Sequence, residues 1–335
     1  VIRLIDPFDE RDMRQVYDIG VAAKGFARPW FSPSPYNSWA VGMRDPDPEE
    51  PRELYGCFDA AGRMTGTSLL FVPAQDNRDK VYADVDVQPA DRRRGFGTQL
   101  VRHAVARMEQ LGRTTLFIES STPAADGKDH GYARFARSLG FAPAWREVVR
   151  HLPLPVPDDR LARLAADAAG RHAGYRILTY AGGVPEELLP GLADLMSLLA
   201  VDAPSGDVEF EAEVITPERL AHTYAREAKQ QRIRLSALAI HEATGVVAAH
   251  TDLAFDSTAS VAQLGTYVHR EHRGHRLGMA VKVANLQLLQ RDHPGHPFVH
   301  TANEENNEHM VSINIELGFE AVETLTEWTI DIGKS

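Results

Sequence analysis

The chain repeats itself, and the repeat limits what it can fold into. In the first half Val87-x-Pro89 leads into Arg92-Arg93-Arg94-Gly95-Phe96-Gly97. In the second half Val268 leads into Arg273-Gly274-His275-Arg276-Leu277-Gly278. The valine and the last glycine are ten residues apart in both. Each block follows a β-like run, at 82–87 and 261–268, and opens a run of helical period. Leu100, Val101, Ala104, Val105, Met108 and Leu111 carry that period in the first copy, and Gly112 is its stop signal. Leu277, Val281, Ala284 and Leu288 carry it in the second. A short strand follows each helix, at 115–119 and 298–301, and then a helix ending in Leu139-Gly140-Phe141 or Leu317-Gly318-Phe319. From loop glycine to this later glycine is 43 residues in one copy and 40 in the other. Self-similarity at this offset means two copies of a domain rather than a solenoid.

The boundary is readable too. Leu152-Pro153-Leu154-Pro155-Val156-Pro157 is extended and proline-punctuated. A short Ala/Arg/Asp helix follows near 158–169, and a new strand, Tyr175-Arg176-Ile177-Leu178, matches residues 1–5. The expected division is a domain over 1–155, a linker with a short helix over 156–172, and a second domain over 173–335. Each half reads strand, helices, hairpin strands, strand–loop–helix, strand, helix, strand. That order predicts a mixed α/β fold with a largely antiparallel central sheet flanked by helices.

Composition narrows the function classes. No apolar run approaches the roughly 18 residues of a membrane helix, and Val1-Ile2-Arg3-Leu4-Ile5 reads as a strand rather than a signal peptide. Cys57 is the only cysteine, so an intrachain disulfide and a cysteine-rich metal cage are excluded. It reads as a buried small hydrophobe, and a reducing cytoplasm is the expected compartment. A net charge of −11 disfavours nucleic-acid backbones as partners and favours cationic ones. The chemistry sits in the repeated loop. Glycines let backbone approach a ligand, and a helix N-terminus behind them offers free N–H groups and partial positive charge. Surrounding arginines complete a cradle for a pyrophosphate. Neither copy has the Gly-Lys-Ser/Thr of a Walker loop. A dinucleotide fingerprint needs a third glycine where Leu100 stands. Arg92-x-x-Gly95-x-Gly97 remains.

That pattern, with Val-x-Pro ahead and Leu-Gly-Phe behind, resembles the acyl-CoA loop of the GNAT-type N-acetyltransferases. The resemblance covers nearly the whole chain as two tandem GNAT domains, an arrangement similar to that of mycothiol synthase. It implies acetyl-CoA as cosubstrate, no metal, and an acceptor amine that attacks the thioester directly. The pyrophosphate would lie on the loop of Arg92, Arg93, Arg94, Gly95, Phe96, Gly97 and Thr98, or on that of Arg273, Gly274, His275, Arg276, Leu277, Gly278 and Met279. A backbone N–H near Val87 or Val268 would polarise the thioester carbonyl. Copy two departs from the pattern, because Arg276 stands where the first glycine belongs.

The family's usual strand glutamate is replaced by Val81 and Ala262, and its usual tyrosine by Ala136 and Asn314. The candidate catalytic residues are therefore Asp252, a substitute base on its strand; Asn303, placed to bond the pantetheine arm; and Asn314, at the tyrosine's position. The competing readings are a solvated strand-edge carboxylate for Asp252 and a helix cap for Asn303. Asp84 and Asp86 alternate with valines and read as the polar face of their strand. An acidic stretch at 202–213, with Asp202, Asp207 and Glu209, would steer a cationic amine or form a solvated loop. The histidines at 269, 272 and 275 suit cation supply to a phosphate better than metal binding. The sequence thus predicts an acetyl-CoA-dependent N-acetyltransferase acting on the primary amine of a small molecule, as a monomer or homodimer, with copy two favoured as catalytic. A degenerate acyl-CoA-binding module and an enzyme using another acyl-CoA are the alternatives.

Overall fold

The computed structural model describes residues 1–124, 130–202, 211, 214–256, 260–304 and 306–333. The chain forms two compact units. Unit 1 comprises Val1–Glu147, Ser205–Glu211 and Glu323–Ser335, and unit 2 comprises Val148–Pro204 and Ala212–Val322.

The first repeat supplies β1 (Ile2–Leu4), α1 (Glu10–Lys24), α2 (Tyr36–Arg44), β2 (Arg52–Phe58), β3 (Met64–Phe71), β4 (Lys80–Val87), α3 (Phe96–Gln110), β5 (Thr115–Pro123), α4 (Gly131–Ser138) and β6 (Ala142–Pro153). After α5 (Asp158–Ala169), the second supplies β7 (Tyr175–Ala181), α6 (Leu189–Asp202), α7 (Pro217–Lys229), β8 (Ile233–His241), β9 (Val247–Phe255) and β10 (Ser260–Val268). Then come α8 (Leu277–Asp292), β11 (Phe298–Glu304), α9 (Glu308–Leu317) and β12 (Glu320–Asp331). The fold is mixed α/β. Among the strand pairs β1–β2, β2–β3, β3–β4, β5–β12, β7–β8, β8–β9 and β9–β10 the pairing is antiparallel, whereas β4 with β5 and β10 with β11 are parallel.

In unit 1 strand alternation sorts residues between two helical layers. Val81 and Ala83 of β4 are buried against Val101, Ala104 and Met108 of α3, the face the helical period marked. Asp84 and Asp86 point the other way, toward α1, where the Lys24 ammonium lies 2.8 Å from Asp84. Helix α1 starts where the Asp9 carboxylate accepts from the Arg11 and Asp12 amides. Its Met13, Val16 and Ile19 pack with Tyr36 and Ala40 of α2 on that second face.

The sheet of unit 1 runs β1-β2-β3-β4-β5-β12. Its last member is the final strand of the whole chain. Strand β12 pairs antiparallel with β5 from Glu323 opposite Pro123 to Asp331 opposite Thr115. Trp328 is 1% exposed in the α3 layer, and its indole N–H donates to the Ser120 hydroxyl at 2.9 Å. The Arg28 guanidinium donates twice to the Glu323 carboxylate, at 2.6 and 2.7 Å, and Trp30 Nε1 donates to it at 3.0 Å. Unit 2 runs β7-β8-β9-β10-β11, with the later part of β6 beside β11. The Leu154 amide donates to the Pro297 carbonyl at 2.9 Å there. Each sheet is therefore completed by the last strand of the other repeat. Residues 156–172, read from sequence as a linker, include α5, whose Leu161, Leu164 and Ala168 are buried in the core of unit 2 with Met279 and Val283 of α8.

Replacing a buried tryptophan by alanine typically costs about 3–5 kcal/mol. Trp328→Ala should destabilise unit 1 by about that much, and hydrogen exchange of the β5 amides should accelerate before that of β9.

Candidate functional site

In unit 1 the parallel ladder between β4 and β5 runs from Lys80–Thr115 to Ala83–Ile118 and stops. Strand β4 continues to Val87 and β5 to Pro123, so the strands part from Asp84 and Glu119 onward. The repeated loop follows β4. Arg93 and Gly95 adopt left-handed backbone, with φ of 64° and 88°, and Gly95 is the N-cap of α3. That turn leaves the first amides of α3 without carbonyl partners, as an anion site requires.

The three loop arginines differ. Arg92 is built in: it donates to the Val87 carbonyl at 3.3 Å, the Tyr132 hydroxyl at 3.0 Å and the Ala23 carbonyl at 3.0 Å. Arg94 is paired with Asp91, which also holds Arg63 at 2.7 Å. Arg93 has no hydrogen-bond or ion-pair partner among the described residues. A Cβ on Gly97 would stand 3.3 Å from Phe135, so this glycine serves close packing of α3 on α4.

On the opposite face of the parting strands lies a cavity of about 470 Å³. Its walls are aromatic, from Phe71, Tyr82, Phe117 and Trp145. Tyr82 and Phe117 stack at 5.1 Å between centroids, and Phe117 meets Trp145 at 5.7 Å. Its polar groups are carboxylates: Glu50, Asp84, Glu119, Glu147 and Glu327. Glu119 and Glu327 are direct cross-strand partners on β5 and β12, and so sit on one face. Glu327 is 8% exposed and has no hydrogen bond or ion pair among the described residues. Burial, then the charges of Glu119, Asp84 and Glu147, push its carboxyl up to about 8. Removal from bulk water and Asp84 push Glu119 up to about 7. Asp86 also rises to about 7, by burial and by Asp84, against the opposing pull of Lys24.

Unit 2 repeats the frame with different contents. The β10–β11 ladder stops at Ala262–His300. Here β10 carries a bulge: between Gln263–Leu253 and Thr266–Thr251, two residues oppose one. A bulge takes backbone groups out of the ladder. The corresponding β3–β4 register in unit 1 has no such shift. Gly274 and Arg276 take the left-handed turns, with φ of 86° and 55°, so Arg276 adopts as N-cap of α8 the conformation that Gly95 adopts in copy one. Its guanidinium is held by Asp167 at 2.6 Å and Glu316 at 2.9 Å. Arg273 donates to the Val268 carbonyl at 3.4 Å, repeating the Arg92–Val87 contact. His275 bonds the Arg171 carbonyl, and Leu277 and Met279 are buried in α8 with Gly278. His272 bonds the Tyr175 hydroxyl at 2.9 Å. Among the described residues no group of His, Cys, Asp or Glu is placed to hold a metal.

Asp252 is buried rather than solvated at a strand edge. Arg234 donates to it at 2.8 Å and to Glu227 at 2.7 and 2.8 Å, so its charge is committed to an ion-pair triad. Asn303 and Asn314 are brought together. The Asn314 amide donates to Asn303 Oδ1 at 2.6 Å, and Lys282 Nζ donates to Asn314 Oδ1 at 3.0 Å. The chain of bonds leaves the Asn303 NH₂ to donate elsewhere. Asn307, rather than Asn303, caps α9. Burial alone pushes Lys282 down to about 7. Asp207 and Glu209 lie outside the described residues, as does the side chain of Asp202 at the end of α6. Glu211, from the same acidic stretch, belongs to unit 1, where it accepts from the Asn77 amide at 2.7 Å.

Residues 25–141 match the acetyltransferase (GNAT) family model. No curated protein matches the chain. Among solved structures, the tandem GNAT protein from the clavulanic acid biosynthesis pathway has a TM-score of 0.82 at 26% identity, covering 100% of this chain and 99% of that one. Residues 25–141 thus carry a GNAT-type acetyltransferase domain, and the whole chain has the fold of a tandem GNAT protein. Two further GNAT structures share the fold at lower identity. A GCN5-related N-acetyltransferase from Sphaerobacter thermophilus has a TM-score of 0.65 at 15% identity, covering 99% of this chain and 95% of its own. One from Kribbella flavida has a TM-score of 0.51 at 14%, covering 99% and 72%. The cavity carboxylates Glu119 and Glu327 and the buried Lys282 are candidate functional groups that sequence reasoning missed.

Two titrations follow. The folded Glu327 carboxyl holds its proton more tightly than the unfolded one, so stability falls as pH rises from about 4.5 to about 8. Glu327→Gln removes that loss: its Tm should exceed the parent's by several degrees at pH 9 and match it at pH 4. Lys282 runs the other way. The unfolded chain keeps this proton up to about 10.5 and the folded one releases it near 7, so stability rises with pH across that window. Lys282→Met should therefore raise Tm most below pH 7, with the gain shrinking toward pH 10.5.

Proposed function

We propose that the chain is an acetyl-CoA-dependent N-acetyltransferase that acetylates the primary amine of a small molecule, and that unit 1 carries the reaction. The observation behind this reading is the placement of two features at one gap. The glycine–arginine loop and the free amides of α3 follow β4 on one side. The carboxylate cavity opens on the other face, where β4 and β5 separate. Acetyl-CoA would rest its pyrophosphate on the amides from Arg93 to Thr98, with the unpaired Arg93 beside it. The thioester would lie in the gap, and the amine would enter from the cavity.

A simple alkylammonium has a pKa of about 10.4, so a base must take its proton near neutrality. Asp86, buried on β4 beyond the point where β4 and β5 part and raised to about 7, is matched to that task. The nitrogen forms a bond to the acetyl carbon as the carbon–sulfur bond breaks. One ammonium proton goes to the Asp86 carboxylate and a second ends on the CoA thiolate. Among the described residues lining the cavity none carries a thiol or a serine hydroxyl, which favours direct attack over an acyl-enzyme. The bulge of β10 and the Lys282–Asn314–Asn303 chain support a second reading, that unit 2 holds CoA in its own cleft. Cys57, buried and free, suits a reducing cytoplasmic setting.

The test is CoA release from acetyl-CoA across a panel of small primary amines, with calorimetry of CoA binding. Arg93→Glu should raise the KM for acetyl-CoA roughly five- to tenfold and spare kcat. Loss of turnover in Arg273→Glu with Arg93→Glu unaffected would move the reaction to unit 2. No turnover with any amine would overturn the transferase reading.

A further inference from the structure

The cavity of unit 1 holds more negative charge than one reacting amine can answer. Asp84 has Lys24 at 2.8 Å, and Glu50 has Arg52 at 3.4 Å. The cross-strand pair Glu119 and Glu327 makes no ion pair among the described residues: Lys24 and Arg28 act on Glu119 only from a distance, their ammonium and guanidinium being held by Asp84 and Glu323, and Glu327 is 8% exposed with its carboxylate lining the cavity. Two carboxylates directly opposite each other repel, and an unpaired buried charge is costly. A monoamine does not cure this, because its nitrogen surrenders its charge on becoming an amide. A cationic group that takes no part in the chemistry would remain to balance the pair.

The remaining walls say what joins the two nitrogens. Tyr82 and Phe117 present stacked rings, and Trp145 closes beside them. Aromatic faces cover methylene groups and also attract ammonium or guanidinium ions. A volume of about 470 Å³ is in the range of small-ligand pockets. Resting on the transferase reading above, we propose that the acceptor is a dication: a primary amine joined by a short alkyl chain to a second ammonium or guanidinium group. That second group binds at Glu119 and Glu327 between the aromatic walls.

The probes are 1,4-diaminobutane, 4-aminobutylguanidine and butylamine, titrated calorimetrically into the full chain at pH 8 without acetyl-CoA. The dications should bind at least about tenfold more tightly than butylamine. Glu327→Gln, checked as folded by thermal unfolding, should reduce that preference to about threefold or less, and Glu119→Gln should do the same. Equal binding of butylamine and the dications would overturn the proposal, as would a preference that survives both variants. Parallel assays of acetyl transfer separate the two readings. Equal kcat/KM for butylamine and the dications would sink the dication and leave the transferase. Selective dication binding with no transfer to any amine would sink the transferase and leave the cation site. A preference for lysine in a folded protein over all three probes would assign the cavity to a macromolecular acceptor and overturn the small dication.

Discussion

The nine-residue ladder between β5 and β12 is the interaction on which unit 1 depends. It closes the edge that β5 would otherwise expose, and an uncovered edge is a liability. Its pleat then does two jobs at adjacent residues. Trp328 goes to the α3 layer and fills the core, while Glu327 goes to the other face and meets Glu119 across the ladder. Packing and chemistry are thus locked in one register. A slip of one residue would put the carboxylate in the core and the indole in the cavity.

The two units show how one frame accepts two sets of contents. Both ladders stop a few residues into the parallel pair, and both loops send an arginine back to the carbonyl of the preceding valine. Beyond that they diverge. Copy one keeps a glycine at the left-handed N-cap and a carboxylate cavity. Copy two puts an arginine into the same turn, where Asp167 and Glu316 hold it, and adds a bulge in β10. A left-handed arginine costs about 1–2 kcal/mol, which these ion pairs help offset.

Much of the frame was legible because it is local. Loop spacing, helical period and the Leu-Gly-Phe endings all fall within short windows, and they located β4, α3, β5 and α4 and their counterparts. The site chemistry was not local. Glu119 read as the end of a strand, and nothing near it announces Glu327, whose neighbour Trp328 bonds Ser120 from 208 residues away. Asp252 looked available because its ion-pair partner Arg234 sits on another strand. Asn303 and Asn314 lie on different elements, β11 and α9. The residue that ties them together, Lys282, was hidden in a helix buried nearly all round, where period gives no face to read.

The shared last strands also bear on how the protein is made. A ribosome delivers β5 long before β12, so the first repeat emerges with its core unroofed and a bare strand edge. It must wait until β12 has been made. The second repeat faces no such delay, since β6 has already been translated when β11 appears. The repeat encoded first is therefore finished last, and a gene cut between the repeats would yield two halves that each lack a strand rather than two independent enzymes.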